Sequence, residues 1–246
     1  TSSNSNLYWV RSKGCTGFLS PGAIAVFMGA GRRGVFATAR RVVKSDYLLS
    51  SYFAESVHSS VAGYFAKTAV SVARRPLRTV GSLYSGACDA LSEGFSACGN
   101  PLQRVYATEI DPTKQDVLSS SYAYCHLFGE CALVDQFPAA DAVVASPSCH
   151  EVSSAHHPGS GADVREAVES HLSDIVRAVL MSKPEVFLIE QSSGLFTHHH
   201  GLFLEFDAGL RVIGYDVIFF DCEAHRDFGA SHYRRRLLWL GRAQLN

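Results

Sequence analysis

Two positions set a spacing that could hold a nucleotide. Gly86 closes the small-residue turn Tyr84-Ser85-Gly86 after an apolar run, and Glu109 ends a second run 23 residues further on. A glycine at a strand end lets the backbone approach a ligand, and a carboxylate about twenty residues later is placed to accept hydrogen bonds from ribose hydroxyls. A competing pattern stands earlier. Gly29, Gly31 and Gly34 form a G-x-G-x-x-G match after AIAVFM, and Glu55 follows Gly34 by 21 residues. Read as a dinucleotide fingerprint, it would make the chain a nicotinamide-dependent oxidoreductase. Ser20-Pro21 argues against this. Serine as N-cap with proline at the first helical position starts a helix, so AIAVFM reads as helical rather than as the strand the fingerprint needs.

The other reactive side chains are less patterned. There are seven cysteines, at 15, 88, 98, 125, 131, 149 and 222, with no C-x-x-C pair. An odd number in a chain of this size points to free thiols in a reducing compartment, hence an intracellular protein. His198, His199 and His200 are consecutive, and adjacent side chains cannot easily face one metal ion. Arginines cluster at 32–33, 40–41, 74–78 and 234–236; such runs most often face solvent. Net charge is −1, so bulk charge gives no sign of a strongly basic nucleic-acid binder. No run of about 18 apolar residues occurs, which predicts no membrane-spanning helix.

The elements that must position these residues follow from the apolar pattern. The first quarter reads as helices and loops: a helix from Ser20-Pro21, a glycine-broken stretch, then a helix over about 47–74 ended by Pro76. From residue 79 strands alternate with helices. TVGSLYSG, VYATEID, DAVVASPS, PEVFLIEQ, YDVIFFD and RRRLLWLG read as strands. DALSEGFSA, the stretch after Pro112, ADVREAVESHLSDIVRAVLMS and LFLEFDAGLRVIG read as helices. Continuous apolar strands alternating with helices predict an α/β fold, its sheet largely parallel and covered on both faces.

Taken together, these segments resemble the cytosine-C5 methyltransferases. SLYSGACDALSEGF is similar to the family's first motif, the turn that holds S-adenosyl-L-methionine, and VYATEID to its second. FGECALV sits where a third motif places an acid near the adenine. DAVVASPSCH is similar to the nucleophile motif, PEVFLIEQSSGL to the Glu-Asn-Val motif, and DFGASHYRRRLLWLG to the Gln-x-Arg-x-Arg motif. The family's last two motifs appear at the front instead. GFLSPGAIAVFMGA resembles the ninth and YFAESVHSSVAGYFAK the tenth. The resemblance thus implies a circular permutation, with motifs nine and ten over 1–75 and motifs one to eight over 76–246 in a single catalytic domain. A short link through Pro76 would join the two parts, as is tolerable where termini lie close.

The resemblance implies a Rossmann-like S-adenosyl-L-methionine methyltransferase fold with a mostly parallel seven-stranded sheet. It implies methyl transfer to carbon 5 of cytosine in DNA, or RNA, with the target base flipped from its stack. Cys149 would add to carbon 6, Glu190 would act at the amino and ring-nitrogen edge, Arg236 would hold the carbonyl oxygen and Arg234 a loop or phosphate. The cofactor would be held by Tyr84, Ser85, Gly86, Ala87, Glu109, Ile110, Glu130, Ser56 and Val57. No metal is implied.

The sequence also departs from the family. Ser148 precedes the nucleophile in place of proline, and His150 follows it in place of Gln or Asn. Gln191-Ser192 stands for Asn-Val, His232 for Gln, Cys88 for the second glycine and Glu55 for Asn. The family's target-recognition domain, between motifs eight and nine, has no counterpart; motif eight ends at Gly241. Recognition would then come from a partner chain, from more sequence than is present, or from little beyond the base and its backbone. A catalytically weak nucleic-acid- or cofactor-binding subunit of a larger assembly is the alternative expectation.

Overall fold

The computed structural model describes residues 9–12, 15–18, 35–43, 59–149, 152, 161–228 and 234–245. A seven-stranded sheet has the order β5-β4-β3-β6-β7-β9-β8. Its strands are β3 (Thr79–Leu83), β4 (Gln103–Thr108), β5 (His126–Phe128), β6 (Ala142–Ala145), β7 (Val186–Ser192), β8 (Tyr215–Glu223) and β9 (Arg235–Ala243). The first five are parallel, while β9 runs antiparallel to both β7 and β8. This is the largely parallel α/β sheet expected from the apolar runs, with β9 as its antiparallel member.

Alternation within each strand splits the core in two. Val143, Ala145, Phe187, Ile189, Leu237 and Trp239 face one layer. That layer is α5 (Gly161–Ser182) with α7 (His200–Val212). Ala142, Val144, Val186, Leu188, Leu238 and Leu240 face the other, made by α2 (Ser59–Val72) and α3 (Ala90–Ala97). Helix α5 buries Val164, Val168, Ile175 and Val179, the three-and-four spacing of an amphipathic helix. Helix α4 (Pro112–Ser121) starts on Asp111, whose carboxylate accepts from the Thr113 and Lys114 amides, with proline at the first helical position. Two shorter helices, α6 (Gly194–His198) and α8 (Ala224–Phe228), complete the layers.

The first quarter corrects the expectation of helices and loops. β1 (Trp9–Ser12) and β2 (Cys15–Phe18) pair antiparallel, from Trp9 opposite Phe18 to Ser12 opposite Cys15. The strands carry β-formers such as Trp9, Val10, Thr16 and Phe18, and the sequence between them, Lys13-Gly14, contains a glycine, which is a hairpin signal in the sequence. A further helix, α1 (Val35–Val42), follows the glycine-rich stretch. The 47–74 helix is described from Ser59, and its last helical residue is Val72. Strand β5 was not expected; its three residues carry no apolar run. The G-x-G-x-x-G stretch, the Ser20-Pro21 helix start, Glu55, Ser56, Val57, His150 and His232 lie outside the described residues.

Helix α2 runs through residues 73–78 directly into β3, and polar groups fasten that link. The Arg74 amide donates to Glu185 Oε1 at 3.0 Å, and the Arg78 and Thr79 amides donate to Asp141 Oδ2 at 2.9 and 3.1 Å. Among the described residues no helix is long and apolar enough to cross a membrane.

Candidate active site

The parallel strands deliver their carboxyl ends to one edge, and that edge reverses direction between β3 and β6. Loops diverge there, which is where open α/β sheets place ligands. The loops after β3, β4 and β5 carry one set of candidates. Those after β6 and β7, together with the start of antiparallel β9, carry the other.

On the first side the chain leaves β3 in a tight turn. Tyr84, Gly86 and Asp89 all have positive φ, at 53°, 61° and 42°. That region is natural for glycine and uncommon for the other two. A Cβ built on Gly86 would meet nothing within 4 Å, so the turn faces open space. Its amide donates to Glu109 Oε2 at 2.9 Å, and the Asp111 amide donates to Oε1 at 2.9 Å. Glu109 is buried just past β4, and burial holds its carboxyl above the ordinary carboxylate value against the pull of those amides and Lys114. Ser85 and Ala87 are buried, and Ile110 is 67% exposed beside them. Glu130, exposed, stands immediately before the short turn that follows β5. These residues fit an adenosine-containing cofactor: an open glycine turn, a carboxylate behind it and an exposed aliphatic side chain.

A network that sequence reading missed underlies the turn. The buried Asp89 carboxylate accepts from Ser82 Oγ at 2.6 Å, Arg104 Nε at 3.0 Å and Tyr124 Oη at 2.7 Å. Arg104 also pairs with Glu93 and lies 4.1 Å from the Tyr122 ring centroid. Tyr122 in turn donates to the Cys88 carbonyl at 2.8 Å. Asp89 is thereby held in a left-handed backbone conformation, which aspartate tolerates better than most residues other than glycine.

On the second side β6 leads through Ser146 and buried Pro147 to Cys149, which is half-buried at the margin of the α5–α7 core. Glu190, 4% exposed, sits near the end of β7. Ser146 Oγ donates to its Oε2 at 2.6 Å. Arg236 Nε lies 2.5 Å from its Oε1, a charge contact without hydrogen-bond alignment. The register explains this meeting: Arg236 pairs with Ser192 and Leu238 with Glu190 across β7 and β9. Gln191, buried, is turned by the Ser192 amide, which donates to its Oε1 at 2.7 Å. Its Nε2 therefore faces the Ser148 carbonyl, at 3.3 Å, one residue before Cys149. Glu190, Arg236 and the Cys149 loop are thus brought to one strand edge. Arg234 lies just before β9, where its carbonyl accepts from the Ala224 amide at 2.9 Å.

Cys222 is the other thiol near this edge, opposite Arg236 across β8 and β9. Burial, with Asp227 and Asp221, pushes it up to about 11, so it stays protonated at neutral pH. Among the described residues no cluster of His, Cys, Asp or Glu is placed to hold a metal ion.

The family model for C-5 cytosine-specific DNA methylase matches residues 79–246. The chain is 28% identical over 189 residues to Type II methyltransferase M.SacI of Streptomyces achromogenes, covering 65% of this chain and 47% of that protein. It is 27% identical over 175 residues to Type II methyltransferase M.NgoPII of Neisseria gonorrhoeae, covering 68% and 48% respectively. The chain therefore spans about half the length of the curated relatives it matches. Among solved structures it is similar in fold to S. pombe Dnmt2 methyltransferase, with TM-score 0.50 and 18% identity over 69% of this chain and 50% of that one.

Proposed function

The chain belongs to the C-5 cytosine-specific DNA methylase family, and on that premise we propose that it transfers a methyl group from S-adenosyl-L-methionine to carbon 5 of cytosine in DNA. The observation that carries this reading is the single strand edge where Glu190 contacts Arg236 and Gln191 ties down the loop of Cys149, next to the open turn at Gly86.

Carbon 5 of cytosine is a weak nucleophile, and covalent addition at carbon 6 is what activates it. Cys149 supplies the thiolate that forms the sulfur–carbon 6 bond. The ring electrons move toward nitrogen 3, where Glu190 supplies or shares a proton, and Arg236 holds the carbonyl oxygen. Carbon 5 then bonds the incoming methyl, loses its proton to a base, and the thiolate leaves as the ring is restored. When bound, the cofactor supplies a methyl group on a cationic sulfur. Tyr84, Ser85, Gly86, Ala87, Glu109, Ile110 and Glu130 are the described residues that would hold it, Glu109 through the ribose. Ser56 and Val57 join them by resemblance alone. In the described state Arg236 stands against Glu190, so the base must draw the guanidinium from carboxylate to carbonyl. Arg234 is assigned to a loop or phosphate.

The flipped cytosine, RNA as a variant substrate, an intracellular setting and a partner chain that reads the target sequence belong to this proposal. So does the permuted motif order, which the direct run of α2 into β3 supports. Incubation with methyl-tritiated S-adenosyl-L-methionine and mixed-sequence genomic DNA, followed by nucleoside analysis, tests the reaction. Labelled 5-methyldeoxycytidine is expected. Label confined to RNA in a parallel sample would change the substrate class, and cofactor binding without label in either would favour a binding subunit.

A further inference from the structure

Tyr84 holds a backbone conformation that bulky residues seldom adopt, and something outside the turn keeps it there. Its phenol reaches across to α5, where it donates to Asp174 Oδ2 at 2.8 Å. Asp174 is 8% exposed. Its other oxygen accepts from Arg177 Nη2 at 3.0 Å. The same Nη2 donates to the Cys131 carbonyl at 2.7 Å, and Nη1 donates to the Val134 carbonyl. One carboxylate and one guanidinium therefore join the turn after β3 to the loop after β5, although no candidate ligand-binding residue lies on α5.

A part-buried ion pair such as Asp174–Arg177 is a weak source of stability, since the cost of desolvating the charges offsets much of their attraction. What such a pair supplies is direction. The Tyr84 hydroxyl donates to Asp174 and also meets the Cys131 thiol, and the guanidinium fork fixes two carbonyls at once. Those two carbonyls stand at the two ends of the short turn that directly follows Glu130.

Resting on the reading that this cleft takes S-adenosyl-L-methionine, we propose that Asp174 and Arg177 are positioning residues of the cofactor site. From α5 they set the spacing between the turn at 84–87 and the loop at 130–134. Without them the turn relaxes and the loop swings free, while the reacting groups at Cys149 and Glu190 keep their own supports.

Calorimetric titration of the whole chain with S-adenosyl-L-methionine separates this inference from the reading beneath it. A wild-type chain that binds no S-adenosyl-L-methionine ends the functional reading. If the wild type binds, Tyr84→Phe, Asp174→Leu and Arg177→Met are each expected to weaken binding by about ten-fold or more, the usual worth of a hydrogen bond to a charged group. Tyr84→Phe and Asp174→Leu combined should weaken it no further than the stronger single change, because both cut the same link. In turnover, Arg177→Met should raise KM for the cofactor and leave kcat at saturation. Wild-type affinity in Tyr84→Phe and Arg177→Met, or full additivity in the double variant, overturns the proposal. Tyr84→Phe loses a single oxygen atom and keeps the test open should Asp174→Leu fail to fold.

Discussion

Gln191 shows how a residue that touches no substrate governs one that would. Its amide has both ends committed, the oxygen to the Ser192 amide and the nitrogen to the Ser148 carbonyl. Gln191→Leu takes the side-chain acceptor from the buried Ser192 amide, at about 1–3 kcal/mol, and removes the tie to the loop before Cys149. Displacing a reacting group by about 1 Å costs on the order of 100-fold. We expect covalent capture of a suicide base to slow by roughly 10–100-fold with cofactor affinity unchanged, measured by adduct formation against calorimetry. Glu109 carries a pH signature. Because burial raises its folded value above the ordinary one, the folded chain keeps a proton that the unfolded chain has lost. Its contribution to stability is full below the ordinary carboxylate value and lost as pH rises through the folded value. Glu109→Gln should flatten the decline of the melting temperature in that window; an unchanged slope contradicts the burial argument. Cys149, Glu190 and Arg236 are proposed from the resemblance to the family's motifs, which fall at the ends of apolar runs. Ser146, Asp174 and Arg177 were not legible in sequence, since their partners lie 44, 90 and 46 residues away and only the fold brings them together.

At the scale of elements, the long apolar strands and α5 were readable because periodicity alone decides them. β1 and β2 were passed over in a first quarter read as helices and loops, and three-residue β5 exists through its pairing with β4. The packing of α2 on α3 was equally hidden. Gly94 allows it: a Cβ there would stand 2.4 Å from the Ala62 carbonyl oxygen. Gly94→Ala must push α2 off α3, and overpacking of this kind costs about 1–3 kcal/mol. Denaturant unfolding should show that loss, and because α2 runs straight into β3 the cofactor turn should bind more weakly as well. A variant as stable as the wild type would mean that the two helices separate freely, and that α2 takes no part in shaping the site.

Across the whole molecule, the sheet sorts its work by position. Strands β3, β4 and β5 end at the groups assigned to the cofactor, and β6, β7 and β9 meet at the groups assigned to the base, with the reversal of strand order between them. Methyl transfer needs donor and acceptor side by side, and the two proposed sets of groups follow neighbouring strands, β3 and β6. The chain spans about half the length of the curated relatives it matches. The most direct measurement is covalent trapping: DNA carrying 5-fluorocytosine, S-adenosyl-L-methionine and the chain, followed by peptide mass spectrometry. The fluorine at carbon 5 blocks the final elimination, so the account predicts a methylated nucleotide bound to Cys149 and no adduct in Cys149→Ala. An adduct on another residue, or its persistence in Cys149→Ala, would contradict it.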